Sequence, residues 1–401
     1  MPDTSNEQLI SWIKVPLILA GLWNLKISDN VFIKKCYFLY SLIMRTGCFF
    51  FWVSLVAESV RLIVKKYEMS IIIPSVSLTI TEYKMVAKLL IYLKHDTLNL
   101  FGKIIEMERE VWICTSEEIK SLYRKNILYV KIATSFIGFY ALLSVSILQI
   151  SGIIGTLHIK THNALTNDTV EPHLMYPLIL PFNKTQHLHW HFSMQLLCAW
   201  NGVLYYLLTE LIFIVILVYA AGQLQILQVR FRNFLEPNFS IDATDEEIRA
   251  KIFVLKGLVR EHQNTIDFIE DFNDRMKYGT MIEFLVTSVD IASVCLGLLK
   301  MSSISQSLWF LSYFFAITMQ LLFIGWSCNE IKIQSGAIGT ALYESKWYCL
   351  NDEGKKITQI VMLRTNRLLM MTIGPFGPMT TNSIVLVMKA AYSYINIMRK
   401  N

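Results

Sequence analysis

The strongest constraint in this sequence recurs along it. Apolar runs of helical length fall at about 36–64, 69–93, 127–154, 196–223, 278–299, 307–328 and 376–398, with charged segments between most of them. About 20 helical residues span a hydrocarbon core. Backbone N–H and C=O groups find no partner in lipid, so each run is helical. Only 17% of the residues are charged and 54% are hydrophobic, whereas a soluble domain carries about 25% charged residues. The expected fold is all-α: a polytopic membrane protein with seven transmembrane helices.

Orientation follows from Lys and Arg. With the N-terminus inside, 24 of the 37 basic residues fall in cytoplasmic segments and 8 in outer ones. The positive-inside rule then predicts a cytoplasmic N-terminus and an extracellular C-terminus. The sequons at Asn167 and Asn183 fall in the outer loop 155–195, in agreement with that direction. Residues 9–25 read as an amphipathic helix at the membrane surface, anchored by Trp12 and Trp23. No cleavable leader is read before them. The seven cysteines avoid the outer loop and show no CxxC spacing, so they are expected reduced and buried.

Three function classes lose ground here. A G-protein-coupled receptor has the opposite orientation. A transporter would show inverted repeats, and none is visible. An enzyme needs a nucleophile, acid/base pair or metal constellation. The alternating His187, His189 and His191 are the nearest approach, and they read as an interfacial cluster. No metal, cofactor or nucleic acid is expected.

The last apolar run carries a mixed stripe. At 100° per residue, Met379, Ser383, Leu386, Ala390, Ser393, Ile397 and Asn401 point within about 40° of one direction. Its serines either face a water-filled axis or bond back to carbonyls of their own helix.

The last quarter of the chain resembles the insect odorant receptor family. The family pattern appears as Ser335, Ala341 with Tyr343, Trp347, Arg364 with Arg367, Thr372 with Gly374, and Ser393 with Tyr394. Leu368 and Pro375 depart from it. Gustatory receptors end differently, and the shared co-receptor has a longer insertion between spans four and five. The chain therefore resembles an odorant-tuning subunit. G-protein-linked or gustatory-type chemoreception is the alternative.

The resemblance implies a heterotetrameric, odorant-gated, non-selective cation channel formed with the co-receptor in the bilayer of olfactory sensory neurons. It implies three parts: residues 1–330 with the odorant-binding bundle, a cytoplasmic anchor at 331–375, and a pore-lining seventh span with the C-terminus at 376–401. Ser383, Leu386, Ala390, Ser393, Ile397, Lys400 and Asn401 would line the pore, and an apolar ring at Ile397 would gate by dewetting. The odorant would meet Ile80, Tyr140, Ser144, Trp200, Phe310 and Tyr313 in the outer half of the bundle. Tyr343 and Trp347, four apart, would share one helix face in the anchor. Asp290 and Lys389 are ionisable groups inside two spans and are expected to pair, coupling bundle to pore.

Overall fold

The computed structural model describes residues 9–23, 30–166, 188–236, 239–240, 243–300 and 304–400. Asn167, Asn183 and Asn401 lie outside them, and Lys400 is described by its backbone alone. Ten α-helices carry the described chain: α1 Ser11–Leu19, α2 Val31–Val64, α3 Met69–Lys94, α4 Leu100–Ile113, α5 Glu117–Thr166, α6 Leu188–Arg232, α7 Asp245–Lys300, α8 Ile304–Glu344, α9 Asp352–Thr365 and α10 Thr381–Lys400. Five of them, α2, α5, α6, α7 and α8, contain stretches long and apolar enough to cross a membrane.

The helices start where side chains satisfy their free N–H groups. Asn30 accepts from Phe32 N–H (2.9 Å) at α2, and Asn351 from Gly354 N–H (3.0 Å) at α9. At α7, Thr244 and Glu247 form a reciprocal capping box: Thr244 N–H donates to Glu247 (2.8 Å) and Glu247 N–H to Thr244 Oγ1 (3.3 Å).

α6 is the central pillar. From Tyr205 to Leu224 its buried side chains point in every direction, because this stretch is apolar on all sides and finds protein all round. α8 packs along α6 and α5, α3 packs against α7 and α2, and α10 rests on α7 and α8. Gly202 lets α6 approach closely, since a Cβ there would stand 2.8 Å from Phe51 and 2.9 Å from Glu82.

Several expected boundaries move. α5 continues to Thr166 and α6 begins at Leu188, so helix occupies both ends of the expected outer loop. α7 joins the charged connection and the fifth span in one 56-residue helix. α8 runs 41 residues without interruption, so position 330 lies inside a helix. Hydropathy marks where lipid ends, and a helix needs no lipid to continue.

The N-terminal segment packs one face on protein: Trp23, expected as a surface anchor, is buried together with Leu9, Ile10, Ile13 and Leu17, while Val15 and Leu19 on the other face are exposed. Leu9 N–H donates to Glu108 (2.6 Å), and Trp23 stacks on Phe101 with ring centroids 6.5 Å apart. Gly21, at φ +67°, turns the chain so that its carbonyl accepts from Ser41 (2.6 Å) and Arg45 (2.9 Å) on α2.

Candidate functional site

The site is a polar seam through the middle of the bundle. On α3, Ser77, Thr81, Lys84 and Lys88 recur at helical spacing and share one face. That face meets Glu283, Thr287, Asp290 and Ser293 on α7, Tyr206 and Glu210 on α6, and Tyr313 and Gln320 on α8. Both lysines of this face are buried, with Lys84 at 0% and Lys88 at 1% exposure.

The inner part of the seam is ionic. Lys84 Nζ lies 3.1 Å from Glu283, and Lys88 Nζ lies 2.7 Å from Glu210. Lys88 also pairs with Glu283, so one ammonium bridges two carboxylates from different helices. Gln320 donates to Glu283 (2.9 Å) and accepts from the Tyr206 hydroxyl. Thr287 donates to Glu283 at 3.0 Å. Charges buried this deeply stand only when paired and hydrogen-bonded, and here both conditions hold.

The upper part is a hydroxyl cluster around Asp290. Its Oδ2 accepts from Tyr313 (2.8 Å) and Thr81 (3.0 Å), and those two hydroxyls also touch each other. Ser77 bonds Ser293 at 2.9 Å one step along both helices. Trp309 stacks on Tyr313 at 5.5 Å. Phe310 lies against the α7 backbone at Gly297, where a Cβ would stand 2.3 Å from its ring.

Of the six residues expected at the odorant, Phe310 and Tyr313 border this seam. Ile80 lines a separate groove of about 410 Å³ with Trp52, Val56, Tyr83, Leu285 and Val289, between α2, α3 and α7. Tyr140 is half-buried among Phe136 (5.0 Å) and Phe315 (5.7 Å). Ser144 is buried and Trp200 is 46% exposed.

Asp290 and Lys389 do not meet. Asp290 is taken up by Thr81 and Tyr313, and Lys389 is exposed on α10. Lys84, Lys88, Glu210 and Glu283 were absent from the expected site. The signal for them was present, since each is an ionisable residue inside an apolar run.

On α10, Leu386, Ser393 and Ile397 are exposed, Ala390 is half-buried, and Ser383 is buried. Both serines bond locally: Ser383 donates to the Pro378 carbonyl (3.0 Å) and Ser393 to the Lys389 carbonyl (3.0 Å). Ser383 therefore turns into the protein, because it closes the start of its own helix. Tyr343 and Trp347 do not share a helix face. α8 ends at Glu344, and Trp347 opens a 3-10 turn.

The segment before α10 is pinned to α7. Thr372 donates through both its N–H (2.7 Å) and its hydroxyl (3.0 Å) to Asn273, and Thr280 donates to the Thr372 carbonyl. Gly374 has φ +49° and lies where a Cβ would meet Met281 at 3.1 Å, so the Thr372–Gly374 signature has a positional reason. Ser335 Oγ likewise accepts from Leu369 N–H at 3.1 Å.

Comparison with known proteins gives a consistent result. A family model described as 7tm Odorant receptor matches residues 68–392. Odorant receptor 10 of Aedes albopictus is 25% identical over 209 residues, 52% of this chain and 54% of that protein. Odorant receptor Or2 of Anopheles gambiae is 23% identical over 183 residues, 46% and 48% of the two chains. The chain thus spans about half the length of the curated relatives it matches. The solved insect olfactory receptor OR5 from Machilis hrabei has a similar fold, with a TM-score of 0.78, 14% identity and 99% of both chains covered. Its structure in complex with eugenol gives a TM-score of 0.76 at 14% identity, over 100% of both chains.

Proposed function

This chain belongs to the 7tm odorant receptor family, and on that premise we propose that it is the odorant-tuning subunit of a ligand-gated cation channel assembled with a shared co-receptor. It is a multi-pass membrane protein and a receptor rather than an enzyme. Our reading gives it seven crossings, a cytoplasmic N-terminus and an extracellular C-terminus. It acts in the plasma membrane of olfactory sensory neurons, where a small apolar odorant binds within the bundle; the solved neighbour is itself in complex with a small molecule, eugenol.

The observation that carries this reading is the double role of α7. One face of α7 holds Glu283 and Asp290 in the seam beside Tyr313, and the same helix packs along α10. A ligand that rearranges the seam therefore acts on the helix supporting the pore helix. We place the pore face along Leu386, Ala390, Ser393 and Ile397, with Lys400 and Asn401 beyond them. The anchor carries Tyr343 and Trp347.

The test is patch-clamp recording of surface-expressed receptor with and without the co-receptor, with a non-hydrolysable GDP analogue in the pipette. A fast cation current that requires the co-receptor and ignores the analogue is expected. A response abolished by the analogue would replace the channel with G-protein signalling.

A further inference from the structure

The hydrogen bonds of Asp290 are lopsided. Oδ2 accepts from both Thr81 and Tyr313, whereas Oδ1 is buried without a hydrogen-bond partner. The residue is 0% exposed, so bulk water does not serve that oxygen. The neighbouring cations are engaged elsewhere, with Lys84 on Glu283 and Lys88 on Glu210 and Glu283. Among the described residues no Lys, Arg or His forms an ion pair with Asp290.

A buried acceptor of this kind is expensive when nothing donates to it. Two hydroxyl donors on one oxygen mark the carboxyl as an acceptor, which leaves Oδ1 demanding the same. Aromatic residues of α8 stand beside it. Tyr313 and its stacked partner Trp309 come from α8, and Phe310 covers Gly297 two turns along α7 from Asp290. Apolar walls with one oriented polar group are the usual make-up of a small-molecule site.

We propose that Asp290 Oδ1 is a ligand subsite that accepts a hydrogen bond from an O–H or N–H of the bound molecule. This inference rests on the odorant-receptor reading above and deepens it. The chain discriminates in favour of alcohols, phenols and amines, and against ethers and esters of the same shape. A site built to hydrogen-bond a ligand donor rejects an analogue lacking it, because the protein acceptor is then left bare.

The test records dose responses of the receptor with its co-receptor to alcohols and phenols, each matched with its methyl ether. A set of primary amines forms a second arm that separates charged from neutral donors. Wild-type receptor is expected to respond to each donor at a concentration about tenfold or more below that for its ether, the range of a hydrogen bond to a charged group. Asp290→Asn removes the charge and narrows that gap, whereas Phe253→Leu, at an exposed position on the charged part of α7, leaves it intact. Should Asp290→Asn be retained inside the cell, Asp290→Glu is recorded instead, and its gap shifts toward shorter alcohols. Equal potency of ethers and alcohols at the wild-type receptor overturns the subsite while leaving the receptor reading standing. A gap unchanged in both variants does the same. Silence to the whole panel from surface-expressed receptor and co-receptor overturns the receptor reading together with the subsite.

Discussion

Lys88 is held by Glu210 on one side and Glu283 on the other, at 1% exposure. Removing that ammonium leaves two buried carboxylates facing each other, and breaking a buried pair costs about 3–5 kcal/mol. Lys88→Met is therefore expected to lower the melting temperature in detergent and the surface level sharply. Adding Glu210→Gln to Lys88→Met restores part of both, because it removes the charge left bare. A double variant no better than the single would remove Lys88 from the centre of the seam. His262 makes a second residue-scale case, outside the spans. Burial first, and the nearby Arg364 second, lower its pKa from 6.5 to about 4. The folded state thus resists a proton that the unfolded chain accepts. Stability is full above about pH 6.5 and falls as pH drops toward 4, which is the sign for a depressed histidine. Melting curves between those limits check it, and His262→Gln is expected to flatten the acid-side loss.

At the scale of elements, Gly297 decides how α8 lies on α7. A Cβ there would stand 2.3 Å from the Phe310 ring, and the ring is fully buried. Gly297→Val is expected to destabilise by about 1–3 kcal/mol through overpacking. Phe310→Leu in the same chain should recover most of that loss, and thermal melts of the three variants measure it. That Lys84 and Lys88 avoid lipid is legible in the sequence, because they stand four apart in an apolar run and lipid accepts neither. Their partners were not legible, since Glu210 and Glu283 arrive from other helices and only packing sets the register. The failed pairing of Asp290 with Lys389 has the same origin. Similar depth in two spans says nothing about which faces meet, and Thr81 and Tyr313 reached Asp290 first. Helix ends at Thr166 and Glu344 escaped for a different reason, because apolarity stops at the membrane and helix does not.

For the whole molecule, the packing of one chain separates two sides of α10. Ile384, Val387 and Ala391 are buried against α7 and α8, while Val385, Leu386, Lys389, Tyr392, Ser393 and Ile397 are exposed. A single chain has no use for an exposed apolar strip beside a hydroxyl and an ammonium. Lipid accepts Leu386 and Ile397, but it accepts Lys389 poorly. A water-filled axis shared between subunits accepts all three. Cysteines placed singly at Leu386, Ser393 and Ile397 should therefore react with a charged thiol reagent applied from outside, faster with odorant present, and the current should fall as they do. Cysteines at Val387 and Ala391 should remain inert under the same exposure. The parent receptor's native thiols supply the background rate, with Cys48, Cys328 and Cys349 buried. Equal reactivity on both faces would mean that α10 does not border the conduction path. Reaction at the strip without any change in current would put water there but the gate elsewhere.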